Sequence, residues 1–167
     1  MTMESNNKDF THLDQKTGNP SMVDVGGKVE TKRSATASCE VVLGVDIMKL
    51  LLEEKDIVTK KGPVFQTAII AGTMAAKKTA DLIPLCHPLA LENIKIQINP
   101  LSDASVLIHC TVSLTGKTGV EMEALTGASV AALTIYDMCK GFSHDILIKE
   151  LGLTEKTGGK RDFKRAT

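Results

Sequence analysis

Apolar and polar residues alternate from Ala35. Ala35, Ala37, Cys39, Val41 and Leu43 share one face, while Thr36, Ser38, Glu40 and Val42 share the other. Period two predicts a half-buried strand with one imperfect position. Asp46 then stands where it can cap a short amphipathic helix, whose Ile47, Leu50 and Leu51 follow i, i+3, i+4 spacing. After the polar run Thr59-Lys60-Lys61-Gly62, Pro63 suits a first helical turn. Residues 64–79 read as a helix with Phe65, Ala68, Ile69, Gly72 and Ala75-Ala76 on close-packing faces. Pro84 and Pro88 each bias the preceding residue toward extended backbone, which places Leu85-Cys86-His87 on a stiff, non-helical loop.

Alternation returns at Ile94, Ile96 and Ile98, pauses at Pro100-Leu101-Ser102-Asp103, and resumes at Val106, Ile108, Cys110, Val112 and Leu114. Two such runs with a short polar connection predict an antiparallel hairpin. The segment Val120 to Lys140, rich in Ala, Leu and Met and stopped by Gly141, is the clearest helix, and a last strand is expected within Ile146 to Leu153. The order strand, helix, helix, hairpin, helix, strand implies an α+β fold with helices covering one face of an antiparallel sheet. Residues 1–27 form a polar arm with Phe10, Leu13 and Met22-Val23 as its apolar anchors, read as partly flexible. Residues 28–154 form one domain, and 155–167 a charged tail.

Composition narrows the function classes. A chain of 167 residues buries roughly 68–70% of its unfolded surface and needs neither disulfide nor metal to hold a core. Twenty Lys+Arg balance twenty Asp+Glu, which argues against the broad basic field of a nucleic-acid or anionic-membrane binder. One Tyr, four Phe and no Trp leave few stacking platforms for bases. Cys39, Cys86, Cys110 and Cys139 are widely spaced without a CxxC pair, so neither a disulfide framework nor a structural zinc site is expected. With no apolar signal core near the N-terminus and no long apolar run, a cytoplasmic location without membrane association is expected.

Several residues carry candidate chemistry. Gly116-Lys117-Thr118 sits between a strand and a helix, the setting of a phosphate loop, but the position where Walker A requires its first Gly is Thr111. Thr118 and Glu121 fit a capping box. Glu123, two residues further on, must face a different side, so one of the two glutamates is a candidate buried or site-facing carboxylate. Asp137 and Lys140, at i and i+3, share a helix face beside apolar Leu133, Ile135, Met138 and Cys139. That turn is expected to be buried or at a subunit interface, where a charged pair is costly without further partners or a catalytic role. His87 alone reads as a structural histidine, and Cys86 beside it makes no metal site. Lys60-Lys61, Lys77-Lys78, Lys156 and Lys160-Arg161 are separately ordinary, yet together allow a local cationic pocket for a phosphorylated small molecule.

Longer blocks are more specific. Met22-Val23-Asp24-Val25, Ala71 to Lys77, Asp81 to Pro88, Gly116 to Thr126, Leu133 to Lys140 and Lys156 to Lys160 closely resemble the MoaC family of molybdenum cofactor biosynthesis. The resemblance runs from about Phe10 to Phe163 nearly without gaps. It implies a ferredoxin-like α+β fold, a hexamer built as a trimer of dimers, and a site at the dimer interface. The implied reaction converts 3′,8-cyclo-7,8-dihydro-GTP, made by the radical SAM enzyme of the same pathway, into cyclic pyranopterin monophosphate with release of diphosphate.

Carried over by position, Asp137 and Lys140 fall on the family's catalytic Asp and Lys, and Lys61, His87, Glu121, Glu123 and Lys156 on its other site positions. Arg33 and Lys77 match basic positions, and Leu85-Cys86-His87 with Met122-Glu123 match pterin-binding segments. Repeated proton transfers suit a coupled Asp137/Lys140 pair with a nearby Glu or His, and loss of diphosphate suits cations such as Lys61, Lys156 and Arg33. No metal site and no required cofactor are expected, although a divalent cation can accompany the triphosphate. The chain departs from the family pattern at Pro63, Ile69 and Arg161-Asp162, none of which adjoins the Asp/Lys pair. Two rival readings are a non-catalytic nucleotide- or pterin-binding oligomer, which predicts binding without diphosphate release, and an RNA-binding sheet, which needs aromatics the strands lack.

Overall fold

The computed structural model describes residues 12–14, 17–54 and 58–166, with backbone alone at 51–54 and 58. Phe10, read as an anchor of the arm, and the side chain of Leu51, read on the apolar face of the first helix, therefore lie outside the described residues. Five antiparallel strands form one sheet in the order β4-β5-β1-β6-β7: β1 is Thr31–Val42, β4 Asn93–Pro100, β5 Ser105–Gly116, β6 Leu147–Thr157 and β7 Phe163–Lys164. The helices are α1 (Val45–Glu54), α2 (Val64–Lys77), α3 (Thr79–Leu82) and α4 (Glu121–Cys139), and β2 (Val58–Thr59) pairs with β3 (Gly62–Pro63) as a small ribbon leading into α2. The fold is α+β, as the strand and helix order implies. Among the described residues no helix is long and apolar enough to cross a membrane.

The alternation along β1 becomes one side of the core. Ala35, Ala37, Cys39, Val41 and Leu43 are buried, opposite Val106, Ile108, Cys110, Val112 and Leu114 of β5. On that face lies α4, which touches β1, β5 and β6 on one side and α2 on the other. Contact on two sides explains why α4 is apolar almost all round instead of carrying a single stripe, with Ala124, Gly127, Ala128, Ala131, Ala132 and Ile135 all buried. Small residues set the spacing. A Cβ added to Gly72 of α2 would stand 2.6 Å from the Gly127 carbonyl and 2.6 Å from Ile96 Cδ1.

The termini of several elements differ from the sequence reading. α1 begins at Val45, so Asp46 sits within its first turn and not at the cap. α2 stops at Lys77, where Lys78 leaves helical geometry, and the short α3 follows. Ile83, held extended by Pro84, ends that turn. The strand expected within Ile146 to Leu153, β6, is not the last, since β7 follows and pairs with it, and it continues to Thr157 because the start of β1 offers pairing out to Ser34 opposite Thr157. Its register shifts on the way, and Glu150 adopts a left-handed backbone (φ 54°).

The Gly72 contact gives a stability test. In an open helix Gly→Ala gains about 1 kcal/mol of propensity, but here the new methyl meets a backbone carbonyl, and overpacking costs about 1–3 kcal/mol. Gly72→Val, which forgoes Ala's propensity gain, is expected to lower the thermal midpoint clearly. Gly141→Ala, where nothing lies within 4 Å, is expected to leave it unchanged in the same melting experiment.

Candidate active site

α4 carries ionisable groups at both ends. At its N-terminal end Glu121 and Glu123 join the loop after α3 and strand β6 around a cavity of about 390 Å³. Leu85, Cys86, His87, Met122, Glu121, Glu123 and Lys156 line it, with His12, Leu89, Thr118, Gly119 and Leu153. Its size and its mixture of aliphatic walls with a few polar groups suit a small-molecule ligand. A smaller cavity of about 110 Å³ shares His87, Leu89 and Glu123 with it and is edged by Lys77. Arg33 lies at the same end of the sheet, where its Nε donates to the Gly116 carbonyl at 3.4 Å. A third cavity, about 320 Å³ between α1 and Phe142, has Asp46 as its one ionisable lining residue and offers little chemistry.

The glutamates divide as helical geometry requires. Glu121 accepts a hydrogen bond and ion pair from Lys156 Nζ at 2.9 Å. It is therefore not half of a capping box: α4 starts at Glu121, its cap position is Val120, and no side chain caps it. Gly119 leaves room for the Glu121 carboxylate in this orientation, since a Cβ there would displace that carboxylate. Glu123 is only 4% exposed. Burial raises its pKa above the usual carboxylate value, opposed by its own backbone N–H and reinforced by the charge of Glu121. Burial, and then Glu123, also raise the Cys86 thiol, which keeps that sulfur protonated and a poor nucleophile. His87 Nε2 lies 2.9 Å from the Val23 carbonyl, to which it donates, tying the chain's early segment to the pocket.

At the other end of α4, Asp137 is bracketed by two lysines, with Lys61 Nζ at 2.7 Å from one carboxylate oxygen and Lys140 Nζ at 2.7 Å from the other. Lys61 also donates to the Asp137 carbonyl at 3.3 Å. The turn is not buried within one chain. Ile135, Met138 and Cys139 face inward, but the side chains of Asp137 and Lys140 are 53% and 51% exposed, because i and i+3 place them on the outer face. The Lys140 hydrogen bond, followed by that of Lys61, lowers the Asp137 pKa to about 2, and Asp137 in turn raises that of Lys140. Asp137 and Lys140 stay ionised through the neutral range, open to solvent beside the Lys61 ammonium group.

One chain therefore gathers the predicted residues into two groups. Glu121 and Asp137 lie sixteen residues apart on α4, about 24 Å at helical rise. Sequence reasoning did not single out His12, Thr118, Gly119, Leu89 or Leu153 as pocket residues. Thr118 read as a cap, and His12 lies in a polar stretch with no spacing signal to mark it.

This arrangement, an antiparallel sheet under a central helix with an acid-lined pocket at one end and a lysine-bracketed aspartate at the other, defines a small-molecule site of acid–base and anion-binding character. Residues 22–159 match the MoaC family. The chain is 48% identical over 166 residues to the cyclic pyranopterin monophosphate synthase of Xanthomonas oryzae, covering 99% of both. It is 55% identical over 160 residues to the molybdenum cofactor biosynthesis bifunctional protein of Synechocystis, with 93% of this chain and 46% of that protein covered. It is 46% identical over 176 residues to molybdenum cofactor biosynthesis protein 1 of Dictyostelium discoideum, with 96% and 28% covered. The chain thus spans less than half the length of these last two relatives. It belongs to the MoaC family.

The two lysines make Asp137 a direct electrostatic probe. Its folded pKa lies below the ordinary 3.8, so the trio's interaction is present above that value and is lost as pH falls toward about 2. Carbon-detected NMR titration is expected to place the Asp137 carboxyl near 2 in the native protein. In Lys140→Ala or Lys61→Ala the midpoint should rise toward 3.8. High salt should narrow the difference, because the trio is exposed.

Proposed function

We propose that the protein is a lyase converting 3′,8-cyclo-7,8-dihydro-GTP to cyclic pyranopterin monophosphate with release of diphosphate. The observation that carries this reading is the 390 Å³ cavity in which Glu121, Glu123 and Lys156 meet aliphatic walls, on a chain of the MoaC family whose Asp137 is paired with two lysines. The Xanthomonas oryzae relative, a cyclic pyranopterin monophosphate synthase covered over 99% of its length, supports the same reaction.

In this reading Leu85 and Met122 flank the flat heterocycle, and Glu121 and Glu123 accept hydrogen bonds from its N–H edge. Glu123, with its raised pKa, also takes and returns a proton more readily than an exposed carboxylate near neutral pH. Lys156, Lys77 and Arg33 stand at this end to receive phosphate oxygens. Asp137 and Lys140 perform the proton transfers of ring opening and closure, with Lys61 holding Asp137 and supplying a further cation to the developing negative charge.

Reacting groups must come within about 3–3.5 Å of their target, which the length of α4 forbids within one chain. That separation supports a site composed across an interface, with the Asp137 end of one copy meeting the pocket end of another, in the trimer of dimers that the family resemblance implies. The substrate comes from the radical SAM enzyme of the same pathway. No resident cofactor is needed, and any divalent ion enters with the triphosphate as part of the substrate. The compartment is the cytoplasm.

Incubation of the pure protein with the cyclised dihydro-GTP should yield diphosphate and the cyclic monophosphate. Lys140→Ala, folded to the same thermal midpoint, should lower kcat by about 10²–10⁴-fold, the usual contribution of a positioned acid or base. A Lys140→Ala variant turning over at the native rate would refute the role assigned to it. Tight binding by the native protein without diphosphate release would favour a non-catalytic binder instead.

A further inference from the structure

We infer that His12, delivered by the N-terminal arm, is a substrate-contacting residue of the pocket. The inference rests on the function proposed above and extends it to a segment with no assigned role. Among the described residues, His12 is the one lining residue of the 390 Å³ cavity that precedes α3 in the chain.

Its position is built. The Ser21 amide donates to the His12 carbonyl at 2.9 Å, and Leu13 bridges Pro20. The Asp14 carboxylate accepts from the Thr17 amide at 2.7 Å and from its hydroxyl at 3.0 Å, while Gly18 takes the left-handed backbone (φ 68°) the turn demands. This folded turn is then moored twice beyond Ser21. His87 Nε2 donates to the Val23 carbonyl at 2.9 Å, and Lys117 Nζ donates to the Gly26 carbonyl at 3.0 Å.

The His87 bond has a chemical consequence. A ring nitrogen that donates to a backbone carbonyl is occupied, which leaves His87 one nitrogen for any ligand. The His12 ring makes no hydrogen bond or ion pair among the described residues, and it is exposed at the cavity's edge. The pocket thus has two imidazoles with different tasks: His87 holds the arm, and His12, carried by that arm, hydrogen-bonds the bound substrate. Its proximity to the two glutamates and Lys156 in the lining suits a ligand with both donors and acceptors.

The test is steady-state turnover of 3′,8-cyclo-7,8-dihydro-GTP, followed by diphosphate release, with native protein, His12→Ala, His12→Gln, Lys117→Met and the His12→Ala/Lys117→Met pair. His12→Ala should raise KM about tenfold, the loss of a hydrogen bond to a charged or strongly polar partner. Its kcat should change far less and its thermal midpoint not at all, and His12→Gln should recover part of the affinity. If Lys117 acts by mooring the arm, its substitution should raise KM in the native background and add little to His12→Ala. Native kinetics in His12→Ala would overturn the contact, and full additivity in the pair would overturn the mooring. Absence of turnover by the native protein would instead overturn the function on which the inference rests.

Discussion

The close packing of α4 between α2 and the sheet decides where the charged groups of this protein stand. Gly72 and Gly127 let the two helices approach until a methyl added at Gly72 would meet the Gly127 carbonyl, and Ala128, Ala131 and Ala132 of α4 are fully buried. A helix gripped on two sides is a rigid strut. Its buried length keeps Glu121 and Glu123 at one end and Asp137 at the other, about 24 Å away by helical rise. That separation is the geometric basis of the two-chain site proposed above.

The two ends differ electrostatically in a useful way. At the pocket, burial keeps Glu123 receptive to a proton, and the Glu121–Lys156 pair balances a second carboxylate beside it. At the far end, solvent and two lysines hold Asp137 ionised, leaving an excess of one positive charge on the surface. The neutral total for the chain hides both environments. A balanced sum excludes a broad basic surface, while it permits small cationic groups to face phosphate where chain segments converge.

Much of this was legible in the linear chain. The β1 alternation, the hairpin of β4 and β5, and the span of α4 follow from periodicity, because buried faces repeat at two or at 3.6 residues. Geometry alone marks one of Glu121 and Glu123 as inward-facing, because residues two apart on a helix cannot share a face, and the fold makes it Glu123. Pairing and tertiary charge contacts were less accessible. Thr118 and Glu121 have the spacing of a capping box, but Lys156, thirty-five residues on, takes Glu121 instead. Asp137 is exposed in the single chain because its apolar neighbours point inward while it points out, which leaves the interface half of the sequence expectation open. Lys61, seventy-six residues away, reaches it only through the fold. His12 carried no signal of its own, since its place depends on a turn and two moorings made by distant side chains.

The proposed function takes one end of α4 from each of two chains to complete a site. Two inactive variants test this most directly: Asp137→Ala/Lys140→Ala, lacking one end, and Glu121→Ala/Lys156→Ala, lacking the other. Co-expressed and co-purified under distinct tags, mixed assemblies should regain diphosphate release, to about a quarter of native activity for random pairing about a two-fold interface. Each variant alone should remain inactive. Mixed assemblies as inactive as their parents would contradict the shared site and require both ends to act within a single chain.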